Sequence, residues 1–116
     1  MKEYKVILHV DELKKWKLVL ANVSNLIDAA KDSKLTVSVL ANAEAVRYYD
    51  KKQAEDDIIR TMKVLEEKGV EFIACNNALV ANDLDQSIIL GFVKIVPAGV
   101  LELVERQSDG YAYIKP

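Results

Sequence analysis

The sequence predicts an α/β fold with three layers, in which a five-stranded, mostly parallel sheet lies between helices on both faces. Strand-like and helix-like segments alternate from one end of the chain to the other. The strand-like segments are rich in β-branched residues and almost wholly apolar at their centres. Continuous apolar runs of this kind are typical of strands that are covered on both faces of a sheet. Parallel strands need crossover connections, and these connections are usually helices.

The elements of the first half are two strands and two helices. YKVILHV (4–10) is a strand, and Asp11 is positioned to cap the helix that follows it. LTVSVLA (35–41) is the second strand, and AEAVRYY (43–49) is a short helix. The first helix shows its apolar face at Trp16, Leu20, Val23, Ile27 and Ala30.

The third strand is framed by a helix and a glycine. Asp50 and Gln53 have the spacing of a capping box, which predicts that the next helix begins there. Gly69 ends that helix because glycine tolerates a left-handed backbone, and VEFIA (70–74) follows as the strand. The helix carries its apolar stripe at Ala54, Ile58, Met62 and Leu65.

The last part of the chain contains two further strands. NALVAN (77–82) is a short helix, and GFVKIV (91–96) is the fourth strand. Pro97 suits the first turn of a final helix, since its missing N–H would have no partner there. Gly110 then precedes YAYIK (111–115), the fifth strand.

Composition indicates one domain over residues 1–116. The chain is 51% hydrophobic and 29% charged, which is a normal globular balance. Its formal net charge of −2 gives no reason to expect a nucleic acid or an anionic membrane as partner. The start of the sequence does not read as a signal peptide, and no apolar run approaches the about 18 residues of a membrane helix. We therefore expect a cytoplasmic protein.

Chemically active side chains gather where the predicted strands end. His9 lies near the end of the first strand, Asn42 follows the second, and Cys75, Asn76 and Asn77 follow the third. Ligands of open parallel sheets bind beyond the carboxyl ends of the strands. The sequence therefore places its only cysteine and its only histidine at the edge where a site is expected.

Cys75 is the candidate nucleophile. It precedes a predicted helix start, with Asn76 or Asn77 as the cap, and a helix N-terminus favours the reactive thiolate. His9 is a candidate base or donor near that thiol, and the three asparagines are candidate substrate-binding residues. The alternatives are a cysteine that only packs in the core, a histidine bonded to backbone, and an Asn42 explained by turn chemistry.

Several other kinds of site are not predicted. A phosphate-binding loop needs clustered glycines, and the four glycines here are isolated. One cysteine and one histidine are too few soft ligands for a zinc site, and no Cys-x-x-Cys pair is present. We expect no metal and no organic cofactor.

Three segments have a recognisable pattern, namely KVILHVD (5–11), GVEFIACNNAL (69–79) and VKIVPAGVLELVERQSDGYAYIKP (93–116). They resemble the DsrE/DsrF-like family of small α/β proteins, many of them uncharacterised and some active in sulfur metabolism. The last is the most specific, because a strand, a helix starting at Pro-Ala-Gly and a Gly-Tyr-x-Tyr-Ile strand close the family's domain.

The resemblance implies a five-stranded α/β/α sheet and homotrimers or homohexamers. It also implies that Cys75 accepts sulfur as a persulfide from one protein and passes it to another. His9 matches a histidine common at the end of the first strand in similar chains. The alternative is a non-catalytic module that binds a small ligand or a partner protein, in which Cys75 only lines a cleft.

Overall fold

The computed structural model describes residues 2–116, and a single five-stranded sheet runs through them. All four strand pairs are parallel, and the strand order is β4-β3-β2-β1-β5. The predicted fold class is therefore confirmed. The strands are β1 (Glu3–Val10), β2 (Lys34–Ala41), β3 (Glu71–Cys75), β4 (Lys94–Val96) and β5 (Ala112–Ile114).

Within residues 2–116, four α-helices and three short 3₁₀ segments connect the strands. The helices are α1 (Trp16–Ala29), α2 (Asp56–Glu67), α3 (Asn76–Ala81) and α4 (Gly99–Ser108). The 3₁₀ segments are Leu13–Lys15, Ala43–Tyr49 and Gln86–Ile88. None of these helices is long and apolar enough to cross a membrane.

The strand order explains why α4 lies apart from the other helices. The first three crossovers step across the sheet in one direction, from β1 to β4, and the last returns to the opposite edge at β5. Right-handed crossovers then place α4 on the other face. Its Leu103 packs in a small separate core formed with Ile7, Leu40, Ile73 and Val96.

The first face carries the larger core, and two aromatic residues fix the 3₁₀ segment Ala43–Tyr49 to it. The Trp16 indole donates a 2.9 Å hydrogen bond to the Ala45 carbonyl, and its ring meets Tyr49 edge-on at 5.3 Å. The Tyr49 hydroxyl donates to the Ile73 carbonyl at 3.0 Å. Burial raises the pKa of Tyr49, so this hydroxyl stays a donor. The chain is thereby held firmly just after β2.

Arg106 anchors α4 to the sheet on the second face. Its guanidinium donates to Glu71 at 2.7 Å, to Ser38 at 2.8 Å and to Glu102 at 2.6 Å. Only 12% of the Arg106 side chain is exposed. Because charge-assisted bonds of this kind are among the strong ones, the network fixes the position of the helix on β2 and β3.

The predicted cap at Asp11 is wrong. The chain first makes the 3₁₀ turn Leu13–Lys15, so α1 begins only at Trp16, too far along for Asp11 to reach its free N–H groups. The Asp11 carboxylate pairs instead with Lys115 at 3.2 Å, because β1 and β5 are parallel neighbours and end side by side.

The predicted capping box at Asp50 and Gln53 is also wrong. α2 begins at Asp56, with Glu55 in the cap position. The buried Asp50 carboxylate closes a turn by accepting bonds from the Lys52 N–H at 2.9 Å and the Gln53 amide at 3.2 Å. A capping box and this turn use the same types of residue, so the spacing of Asp50 and Gln53 in the sequence could not show which of the two forms.

Two boundaries at the β4 edge also differ from expectation. β4 covers only the second half of the predicted 91–96 strand, because the Val93 N–H bonds to the Leu90 carbonyl and forms a turn. Pro97 precedes α4 without being part of it, since Ala98 is the cap residue and Gly99 the first helical one.

Candidate functional site

The carboxyl edge of the sheet brings the predicted site residues onto neighbouring strands. Alternation along the strands points His9, at the end of β1, and Cys75, at the end of β3, toward the face that α4 covers. Leu40 of β2 lies between these two strands and pairs in register with His9. Because β1 and β3 are two strand spacings apart, their axes are about 10 Å from each other.

Cys75 is the last residue of β3 and also the residue before α3. It pairs in register with Val96 of β4 and is only 6% exposed. The prediction that Asn76 or Asn77 caps α3 is wrong, because the helix begins at Asn76 and Cys75 itself occupies the cap position. The strand passes into the helix without a turn, which leaves no room for a separate cap residue.

The start of α4 lies directly against the thiol. A Cβ atom placed on Gly99 would stand 3.0 Å from Cys75 Cβ, 3.5 Å from Cys75 Sγ and 3.2 Å from Leu40 Cδ2. Only a glycine allows this approach without displacement. The first N–H groups of a helix have no partner within it, so the end of α4 that carries these free donors lies beside the sulfur.

His9 is held in a polar network of its own. Its Nε2 lies 2.8 Å from Asn42 Oδ1, and its Nδ1 lies 2.7 Å from the Tyr113 hydroxyl. An amide oxygen only accepts, so the contact with Asn42 requires a proton on Nε2. In the neutral form of the ring, Nδ1 then accepts from the Tyr113 hydroxyl. Both ring nitrogens therefore have partners other than Cys75.

Tyr113 is a site residue that the sequence did not reveal. It lies on β5, in register with Ile7 of β1, and its ring is tilted against His9 at 5.8 Å between centroids. The Tyr111 and Tyr113 alternation does indicate two tyrosines on one face. What the sequence lacked was the pairing of β5 with β1, which depends on the return crossover.

A small cavity opens beside Cys75 at the β4 edge. Its volume is about 210 Å³, and it is lined by Asn76, Gln86, Ile95, Val96 and Pro97. Asn76 and Val96 are the chain neighbour and the strand partner of Cys75. Asn76 accepts a 2.9 Å hydrogen bond from Gln86 across this cavity, whereas Asn77 is exposed on α3. No group of three potential metal ligands occurs within residues 2–116.

A profile of the DsrE/DsrF-like family matches residues 11–116. The chain belongs to this family. The match includes Asn42, Cys75 and Tyr113 and begins two residues after His9. A search of the curated proteins gave no match.

Two solved structures resemble this DsrE/DsrF-like protein along almost its whole length. One is a protein of unknown function, MTH1491, from Methanobacterium thermoautotrophicum, with 30% identity and a TM-score of 0.87. The other is the ychN protein from E. coli, with 13% identity and a TM-score of 0.75, a likeness of fold alone. Each match covers 97% of this chain and 99% of the other.

Proposed function

We propose that the protein is a sulfur-relay carrier that holds sulfane sulfur as a persulfide on Cys75. The supporting observation is the position of the single thiol, which lies at the carboxyl edge of the sheet, immediately before α3 and against the first residue of α4. Membership of the DsrE/DsrF-like family is compatible with this chemistry.

The chemistry needs no metal, oxidant or reductant. The Cys75 thiolate attacks the outer sulfur of a donor persulfide, R–S–SH. A new S–S bond forms at Cys75 while the donor S–S bond breaks, and the donor leaves as the thiolate R–S⁻. An acceptor thiolate then attacks the outer sulfur on Cys75, takes it as a persulfide and restores the Cys75 thiolate.

Sulfur transfer requires that the donor and the acceptor reach the buried thiol of Cys75. The residue is 6% exposed and does not line the cavity beside it, so a donor sulfur reaches Cys75 only when this part of the fold opens locally. No second cysteine exists in the chain to resolve the persulfide. The donor and acceptor thiols therefore belong to other molecules, and we expect sulfur donor and acceptor proteins as partners.

The alternative is a family member that binds a small ligand or partner protein without sulfur transfer. Two observations favour it, namely the burial of Cys75 and the engagement of both His9 nitrogens by Asn42 and Tyr113. In that case Cys75 packs between α3 and α4, and the cavity beside it accepts the ligand.

Alkylation of the folded protein at neutral pH separates these two functions. With iodoacetamide, a carrier should react at Cys75 within about tenfold of the rate of the urea-unfolded chain, because donor and acceptor must reach the sulfur and the site therefore opens readily. A module with a packed thiol should react roughly 100-fold more slowly than the unfolded chain, because only rare opening exposes the sulfur. Because the chain has one cysteine, the adduct is unambiguous.

A further inference from the structure

A second groove lies on the first face of the sheet, and neither Cys75 nor any residue of the cavity beside it lines this groove. It runs between α2 and the segment that leads into β4, and its volume is about 420 Å³. Small-molecule sites usually measure about 300 to 1,000 Å³. We call it the lysine groove after three of the residues that define it, which are Lys51, Lys52, Lys63, Ile88, Leu90 and Phe92.

The walls of the lysine groove are preformed. The Leu90 N–H donates to the Tyr49 carbonyl at 2.9 Å, and Ile89 forms an antiparallel bridge with Asp50. The Phe92 ring packs edge-on against the buried Phe72 at 5.8 Å. These contacts fix the segment before β4 to the body of the protein, so a ligand would not have to order it.

The groove is positively charged in a chain that is negative overall. Within residues 2–116, the ammonium groups of Lys51, Lys52 and Lys63 have no carboxylate within 4.0 Å. Asp50 also lines the groove, but its oxygens accept bonds from the Lys52 N–H and the Gln53 amide. Three ammonium groups and one carboxylate leave a local charge of +2, whereas the whole chain carries −2.

The apolar floor narrows the class of ligand. Ile88 is 37% exposed, and Leu90 and Phe92 are partly exposed in the same groove. An inorganic anion would leave the apolar side chains of the lysine groove exposed to water. A neutral apolar molecule would make no ionic contact with the three lysine ammonium groups. A ligand with an apolar body and an anionic head satisfies both parts of the groove.

We propose that the lysine groove binds a small amphipathic carboxylate, with its alkyl or aryl body on Ile88, Leu90 and Phe92 and its carboxylate among the three lysines. Two observations support this proposal: the positive charge of the three lysines, which complements a carboxylate, and the volume of the lysine groove, which suits a small molecule. The proposal is independent of sulfur transfer, because Cys75 and its cavity share no residue with the groove.

The test is an NMR titration of the full ¹⁵N-labelled chain with sodium octanoate, with octan-1-ol and acetate as separate arms. Octanoate should give saturable shifts of the amides around Lys63 and residues 87–92, with a Kd below about 1 mM. Octan-1-ol lacks the charge and acetate lacks the apolar body, so each should bind at least roughly tenfold more weakly.

Charge-reversed variants show whether the lysines are responsible. Lys51→Glu and Lys63→Glu should each weaken octanoate binding at least about fivefold. The matched control Lys2→Glu has the same charge change on an exposed lysine outside the groove and should leave the Kd unchanged. Ile88→Ser should also weaken octanoate binding, because it removes apolar contact area while the charge of the lysine groove stays the same.

Four results would overturn the proposal. They are shifts that do not saturate, equal weakening by Lys2→Glu, octan-1-ol that binds as tightly as octanoate, and groove amides that shift with protein concentration alone. The last result would show that a second copy of the chain covers the groove.

Discussion

Gly99 determines how closely α4 approaches Cys75. Its Cα lies where any side chain would meet Cys75 Cβ at 3.0 Å and Leu40 Cδ2 at 3.2 Å, so the proximity of helix start and thiol depends on one missing methyl group. The observation links the sequence Pro-Ala-Gly directly to the environment of the sulfur.

Gly99→Ala should therefore lower the free energy of unfolding by about 1–3 kcal/mol, as expected when a packed contact is overfilled. It should also change the alkylation rate of Cys75, because α4 or the cysteine must move. Gly91→Ala is the matched control, since a Cβ there meets nothing within 4 Å and should change stability by no more than about 0.5 kcal/mol. Urea denaturation of the three proteins measures the difference, and equal midpoints for both variants would contradict the account.

The hydrogen bonds of His9 predict one tautomer. Asn42 Oδ1 requires a proton on Nε2, and the Tyr113 hydroxyl fills Nδ1. The ¹⁵N NMR spectrum of the imidazole above pH 8 should therefore show the Nε2–H form as the dominant neutral species. Tyr113→Phe should retain that form, while Asn42→Leu should allow the Nδ1–H form to appear. A dominant Nδ1–H form in the wild type would show that the network is arranged otherwise.

The residues of the site were only partly predictable from the sequence. The strand assignments were enough to place His9 and Cys75 at one edge, because parallel strands end together. Gly99 and Tyr113 were missed as site residues because their contacts cross from α4 and β5, whose positions depend on the direction of the last crossover. The sequence also gave no measure of the distance between His9 and Cys75.

At the scale of elements, Arg106 joins α4 to the strands beneath it. Burial by itself would raise the pKa of Glu71, but hydrogen bonds from Arg106 and Ser38, with the charges of Arg106 and Lys94, lower it below its usual range. The ionised Glu71 therefore stabilises the folded protein above the pKa of the unfolded chain, about 4.3. This contribution is lost as the pH falls from there through the lower pKa of the folded state.

Glu71→Gln should reduce the acid sensitivity of the fold. Between pH 6 and pH 3 the free energy of unfolding should fall less steeply in this variant than in the wild type, because the neutral amide does not titrate. Glu67→Gln, an exposed carboxylate that forms no ion pair within residues 2–116, should keep the wild-type slope. Urea titrations at several pH values measure this, and identical slopes for all three proteins would refute the role of Glu71.

Element identity followed from the sequence better than element boundaries did. All five predicted strands and the helices of the first and last crossovers are present, although β4 is shorter than predicted and α1 begins later. Caps were less predictable, since Asp11 and Asp50 are both used elsewhere, one in an ion pair with Lys115 and one in a turn. Polar residues of this type serve caps and turns equally well, and tertiary pairing decides between them.

At the scale of the whole molecule, α4 leaves an apolar surface uncovered. Val100, Leu101 and Val104 are 69%, 54% and 55% exposed, on the side of the helix that faces away from the sheet. We propose that this surface is buried between copies of the chain in the homotrimer or homohexamer that the family resemblance implies. The return crossover explains why it is exposed, because α4 is the one α-helix of residues 2–116 that contributes to the core on that face.

Light scattering tests this assembly. The wild type should have the mass of three or six chains, and Leu101→Glu should shift it toward one chain, since a charge in an apolar contact costs more than the contact provides. Val80→Glu on α3 is the matched control, because Val80 is also exposed, at 68%, and lies on a different face. A monomeric wild type at high concentration, or equal dissociation by both variants, would contradict the proposed interface.

Loading with a persulfide donor tests directly whether Cys75 carries sulfur. Reduced wild-type protein is mixed with a small-molecule persulfide, freed of donor, and analysed intact by mass spectrometry, with Cys75→Ser as control. We predict an added mass of one sulfur atom on the wild type alone, which is lost when an acceptor thiol is added. A reduced, folded wild-type protein that gains no sulfur, or gains as much as Cys75→Ser, would contradict the account.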